Sequence, residues 1–236
     1  MKYVLCSVLL PCEMQNVLKE DGWEIVSIPG VSSLPAQIAS HPDMCCCVLN
    51  NSTIVACPEL YQAIQGHLTI VFDTVLVGAT ALNPSYPNDI PYNALVLGNR
   101  LFHLLHNTDS ILLEWAKKNG YACINVSQGY TACSTLAISE TALITADEGI
   151  AQTATAHGCA VLKIRSGGIS LTGYSYGFIG GASGWDGGDT VYFCGDISLH
   201  PDGERITEFI SSHGKKSKPL NGKPLYDYGG LKFIIR

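Results

Sequence analysis

The sequence predicts an α/β fold: a five-fold pseudosymmetric α/β propeller of repeated strand-strand-helix-strand modules, closed by the carboxy-terminal strand. Three observations predict it. Helical stretches stop at Gly22, Gly66, Gly120, Gly158 and Gly214, and glycine takes the left-handed conformation just past a helix at no steric cost. A hydrophobic run resumes after four of them, at Trp23 to Ile28, Leu68 to Asp73, Tyr121 to Val126 and Cys159 to Ile164. The first unit also lacks a strand, while Leu231 to Ile235 is left over at the other end. Recurrence at such a period marks one copied unit, and docking the spare strand beside the first unit removes exposed sheet edges.

The first unit offers a strand at Tyr3 to Leu9, a helix from Pro11 to Asp21 and a strand at Trp23 to Ile28. In the second, Met44 to Leu49 turns at Asn50-Asn51 into Ser52 to Ala56, and a helix from Pro58 ends near Gly66. The third pairs Ala94 to Leu97 with Leu101 to Leu105 across Gly98-Asn99, then runs as helix from about Thr108 to Asn119. The fourth pairs Thr135 to Ile138 with Ala142 to Thr145, then runs as helix from about Asp147 to His157. The fifth pairs Thr190 to Cys194 with Ile197 to Leu199 across Gly195-Asp196, with a helix from Pro201 to His213 and a delayed strand near Leu225. Asn-Asn, Gly-Asn and Gly-Asp suit two-residue turns, and Pro11, Pro58 and Pro201 suit first helical turns. The chain thus reads as one domain, with modules at about 1–30, 41–73, 92–126, 133–165 and 177–230, and 231–236 completing the first. An open doubly wound sheet would alternate strand and helix singly, without a hairpin before each helix.

Hydrophobic residues make up 47% and charged residues 14%, which describes a compact body with many buried strands. A net charge of −6 argues against nucleic acid as partner, and the cluster Lys215, Lys216, Lys218 reads as a solvated loop. No run reaches the roughly 20 apolar residues of a membrane span. The apolar start through Leu10 is better read as a strand entering a helix than as a leader, so a soluble, cytoplasmic protein is expected. The ten cysteines include no Cys-x-x-Cys pair, so neither a zinc site nor a redox dithiol is signalled. No dinucleotide or Walker fingerprint occurs; no cofactor and no metal are expected. His103 and His106 would fall on opposite faces of a strand, and Asp186 with Asp189 is too small a set for calcium.

In such a module the helix amino ends and the inter-module connections share one face. Those connections hold His41, Asp43, Asn93, Gln128, Tyr130, Cys133, Tyr174, Tyr176 and Asp227, and their convergence at the hub would make a polar pocket on a rigid scaffold. His41-Pro-Asp43 offers a general acid or base beside a carboxylate, or simply a loop entering the second module. Cys133 begins a strand and would be a nucleophile if a neighbour lowered its pKa. His200-Pro-Asp202 opens the fifth helix as a ligand contact or as local structure. Asp147 suits a helix start. Asp196, in the predicted hairpin turn, is expected on the opposite, blank face.

The stretches Gln128-Gly-Tyr-Thr-Ala-Cys-Ser134 and Tyr176-Gly-Phe-Ile-Gly-Gly-Ala-Ser183, with Gly195-Asp196, His200-Pro-Asp202 and Asp227, are similar to an uncharacterised bacterial family. That family is described as having the pentein fold of the guanidino-group-modifying enzymes. The resemblance implies a hub pocket and a hydrolase or transferase acting on a small amine- or guanidine-bearing molecule. Cys133 would be nucleophile, His41 general acid-base, Asp43 and Asp227 cation anchors, and Asn93, Gln128, Tyr130, Tyr176 and His200 ligand contacts. Superfamily enzymes carry their cysteine near the carboxy terminus, in the segment matching Asp227-Tyr-Gly-Gly-Leu231; here no cysteine follows Cys194. The other reading is a non-catalytic binding protein, since a ribosome anti-association factor resembles the same ring. The sequence assigns no oligomeric state.

Overall fold

A computed structural model describes residues 1–236. In chain order the elements are β1 (Lys2–Ser7), α1 (Cys12–Glu20), β2 (Glu24–Ile28), α2 (Pro42–Cys45), β3 (Cys46–Asn50), β4 (Thr53–Ala56), α3 (Pro58–Val71) and β5 (Thr74–Val77). There follow β6 (Leu95–Leu97), β7 (Arg100–His103), α4 (Ser110–Lys118), β8 (Ala122–Asn125), β9 (Thr135–Ala137), β10 (Ala142–Thr145), α5 (Glu148–Ala156) and β11 (Ala160–Lys163). The last are β12 (Ser183–Trp185), β13 (Thr190–Phe193), α6 (Gly203–Ser212), β14 (Lys216–Pro219) and β15 (Lys232–Ile235).

These strands form five three-stranded sheets of one pattern, β15-β1-β2, β3-β4-β5, β6-β7-β8, β9-β10-β11 and β12-β13-β14. In each, the inner strand runs antiparallel to the middle one, and the outer strand runs parallel to the middle one after the helix. The ring closes as expected: β15 pairs with β1 in the register Tyr3↔Ile234. One cavity of about 190 Å³ is lined by the inner strand of every module, from Cys46 through Val96, Leu136 and Gly184 to Lys232. Five inner strands therefore surround a single central channel.

Position in the sheet explains composition. The middle strands β4, β10 and β13 are buried along their whole length and read as continuous apolar or β-branched runs. The outer strands β5, β11 and β14 are half-buried at their two central residues and exposed at both ends, so a sequence such as Lys216-Ser-Lys-Pro219 is tolerated there. Core side chains interlock between neighbouring modules; Val4 and Met14 of the first pack in one cluster with Tyr192 and Cys194 of the fifth. All ten cysteines are free thiols, eight of them buried.

Two modules differ from expectation. The helix breaks close to Gly66, at Ile64 with φ −138°, but helix resumes beyond that kink to Val71 and the strand is Thr74–Val77. Leu68 and Val71, spaced for one helix face, are buried there, so an apolar run read as a strand is the helix's last turns. The other four glycines do follow helices, with φ between +68° and +84°. In the fifth module the first two strands are Ser183–Trp185 and Thr190–Phe193, and Ile197–Leu199 is a 3-10 turn. The outer strand is Lys216–Pro219, not a segment near Leu225. Asp196 consequently follows the end of a middle strand, on the helix-amino face, and accepts from the Ser198 N–H. Of the three basic residues thought to form a loop, Lys216 and Lys218 are strand residues, and Lys218 pairs with Asp21 at 2.6 Å.

Candidate active site

The site is assembled from all five connections on the helix-amino face. His41 precedes the single turn α2, whose first residue is Pro42, and Asp43 follows with its N–H donating to the Gly229 carbonyl at 3.2 Å. Gly229 has φ +79°, and a Cβ there would collide with His41. Asp227 accepts from the Gly229 N–H at 2.9 Å and from the Phe178 N–H at 2.8 Å. Gly181 packs flat on that carboxylate, with no room for a side chain. These close approaches give Tyr176-Gly-Phe-Ile-Gly-Gly its small residues a definite purpose: backbone must lie against Asp227.

Asn93 ties the second, third and fourth connections together. Its amide donates to the Asp43 carbonyl at 2.9 Å and to the Cys133 Sγ at 2.9 Å, and its oxygen accepts from the N–H groups of Ala132 and Cys133. The result is a cavity of about 260 Å³ lined by His41, Cys133, Asp227, Tyr130 and Tyr176, with Met44, Leu171, Tyr174 and Phe178 as apolar wall. Cys133 and Asp227 are 4% and 2% exposed and form the floor, while Tyr174 and Tyr176 are 47% and 43% exposed and form the mouth. Asp43 lies behind the floor, where it lines the central channel beside Lys232.

The charges are not neutralised by contact. Both carboxylate oxygens of Asp43 are buried without a hydrogen-bond partner. Burial pushes its pKa up to about 6, against the opposing pull of Lys232 and His41 and with added repulsion from Asp227. Burial also raises Asp227, opposed by His41 and by the two backbone N–H groups. His41 Nδ1 lies 3.7 Å from Asp227 Oδ1, an electrostatic contact beyond hydrogen-bond reach. The thiol of Cys133 is pushed well above its ordinary range by burial first and by Asp43 and Asp227 next. A nucleophile needs the reverse shift, so in the empty site Cys133 is a neutral thiol.

Gln128 stands one layer out. It donates to Asp147, the cap of α5, and accepts from the Tyr130 N–H, so it holds the tyrosine's backbone and lies outside the cavity. The Tyr130 hydroxyl donates to Asp89 at 2.6 Å, which fixes the ring in the pocket wall. His200 is elsewhere: it contacts the Gly167 carbonyl through Nε2 and accepts from the Asp202 N–H, at the start of α6. His103 is buried between Thr108 and the Gly129 carbonyl, and no cluster of three His, Cys, Asp or Glu side chains is arranged for a metal ion. Sequence reasoning missed Met44, Phe178 and Lys232. Phe178 sits inside a quoted motif, whereas Lys232 carried no signal beyond its place in the closing strand.

A ring of five strand-strand-helix-strand sheets around a channel, with the polar site at one mouth, defines a pentein-fold protein. Within that class, the chain matches the family described as "Family of unknown function (DUF6873)" over residues 6–232 and belongs to it. No curated protein matches it in sequence. Among solved structures it is similar to a dimethylarginine dimethylaminohydrolase from Pseudomonas aeruginosa, a cysteine-to-serine mutant complexed with citrulline. That match has a TM-score of 0.58 at 10% identity and covers 93% of this chain and 91% of that one. It is similar as well to an amidinotransferase from Microseira wollei in saxitoxin biosynthesis, with a TM-score of 0.55 at 11% identity, covering 99% and 94%. At such identities the likeness establishes the fold.

Proposed function

We propose that the hub pocket binds a small amine- or guanidine-bearing cation and that the protein is a hydrolase or transferase acting on it. One observation carries this reading: the buried carboxylate of Asp227 stands at the floor of a cavity whose walls are aromatic, and a second, unpartnered one, Asp43, lies just behind that floor. An unpaired buried carboxylate is costly, and a bound cation relieves it. The same cation offsets the repulsion that Asp43 and Asp227 exert on Cys133, so thiol ionisation is coupled to occupancy. The Cys133 thiol passes its proton to His41 and the thiolate adds to the guanidinium carbon, forming a C–S bond; the C–N bond then breaks as the leaving amine takes that proton from His41. Water, or an acceptor amine in a transferase, displaces the sulfur in turn and restores the thiol.

Matched alkylating reagents test this. Chloroacetamidine is cationic and chloroacetamide is its neutral isostere; at pH 7 the first should label Cys133 at least tenfold faster. Asp227→Asn should remove the preference, and Cys133→Ala should remove the label. Equal slow labelling by both reagents, together with a guanidinium-induced rise in Tm, would leave a non-catalytic binding protein on the same fold. Equal labelling with no such rise would end the cation reading altogether.

A further inference from the structure

We propose that the cation this pocket takes carries an aromatic or otherwise apolar arm and no carboxylate: an arylalkylguanidine or arylalkylamine rather than a free amino acid. The inference rests on the reading of the hub pocket just given and adds the chemistry of the rest of the ligand.

The cavity has two unlike ends. Imidazole, thiol and carboxylate are confined to the floor, at His41, Cys133 and Asp227, and from there to the mouth the wall is Met44, Leu171, Phe178 and three tyrosines, with one hydroxyl from Ser175. Tyr130 and Phe178 stack with centroids 6.2 Å apart, and Phe178 meets Tyr176 edge to face at 6.0 Å. The Tyr130 hydroxyl is committed to Asp89, so that ring offers aromatic surface rather than a donor. Such surfaces favour another ring and tolerate a cation.

No lysine or arginine lines the cavity. Two cations of bordering cavities are already placed: Lys232 lines the central channel behind Asp43, and Arg165 is bound to Asp202 beside the neighbouring groove. An α-carboxylate on the ligand would therefore find no cation, only the hydroxyls of Ser175, Tyr174 and Tyr176, and neutral donors compensate a carboxylate less well than charged ones. Size agrees. A cavity of about 150 Å³ holds one benzene ring, so about 260 Å³ accommodates a ring, a short tether and a planar cationic head.

Calorimetry with matched ligands decides it. Methylguanidine measures the head alone, 2-phenylethylguanidine adds the arm, tyramine and tyrosine differ only in a carboxylate, and agmatine and arginine differ the same way. We expect 2-phenylethylguanidine to bind at least tenfold tighter than methylguanidine. Tyramine and agmatine should each bind at least tenfold tighter than their carboxylated partners. Tyr174→Arg should reverse the tyramine-to-tyrosine preference by placing a cation at the mouth. Methylguanidine binding without any gain from the arm, or arginine binding as tightly as 2-phenylethylguanidine, would overturn the inference while leaving the cation site intact. Failure of all six ligands would overturn the cation site as well.

Discussion

At His41-Pro42-Asp43 and at His200-Pro201-Asp202 the same three residues enter a helix with both their polar side chains buried. In each copy the histidine rests against a glycine of left-handed backbone, Gly229 at φ +79° in one and Gly168 at φ +75° in the other. Their aspartates nonetheless end in opposite electrostatic states. Asp202 accepts from the Arg165 N–H and guanidinium and from Arg205, which hold its carboxyl down at about 2. Its arginine partners reach into solvent, so it is covered by contacts yet electrostatically close to water. Asp43 has no partner for either oxygen and is pushed up to about 6. The local sequence sets the backbone; the neighbours supplied by the rest of the ring decide whether a carboxylate is a brace or a socket.

The two glycines give the largest test of that contrast. Gly229→Ala and Gly168→Ala should each destabilise the protein by about 3 kcal/mol, from strain and collision with a buried histidine. In urea titrations the two losses should be similar, but only Gly229→Ala should abolish guanidinium binding in the folded fraction. Loss of binding in both would mean that the regions are not independent.

Next in size is Asp202→Ala, which should cost about 2 kcal/mol because it leaves several donors without an acceptor. Labelling of Cys133 by chloroacetamidine should be unaltered. The stability Asp202 confers is present above the unfolded carboxylate pKa of about 3.9 and is lost as pH falls towards about 2.

Asp43→Asn should do the reverse and stabilise the empty protein at pH 7 by about 1–2 kcal/mol. The folded chain keeps this proton up to about pH 6, whereas the unfolded chain loses it near 3.9. Stability of the parent therefore declines as pH rises between those values and is level above them, and the variant should lack this decline in a series of melting curves. It should also weaken guanidinium binding at least tenfold. The smallest effect is expected from Lys232→Met, which removes an ammonium that lowers the Asp43 pKa and should move the same decline to higher pH.

Much of the ring was readable because its punctuation is backbone chemistry: four glycines of positive φ and the cap at Asp147. Reading failed where strand character comes from place rather than composition. Ser183-Gly-Trp185 is a strand because it lines the channel, and Lys216-Ser-Lys-Pro219 because an outer strand is half-exposed. For the site, pooling the connections brought His41, Asp43, Asn93, Tyr130, Cys133, Tyr176 and Asp227 to one hub. It misplaced His200, whose resemblance to His41 is local, and the condition it set for a Cys133 nucleophile, a neighbour that lowers the thiol pKa, is reversed here by burial and two carboxylates. Hydrogen bonds across modules, such as Asn93 to Cys133, have no trace in linear order.

The pairing of Tyr3 with Ile234 also sets a timetable. Every other sheet joins segments close in sequence, but β1 is synthesised first among these elements and finds its inner neighbour only when β15 has been made. Loop-closure entropy and contact order make that joining the slow step of maturation. Until it occurs β1 has one unsatisfied side, and the newborn chain is most exposed to edge-to-edge misassociation along that strand.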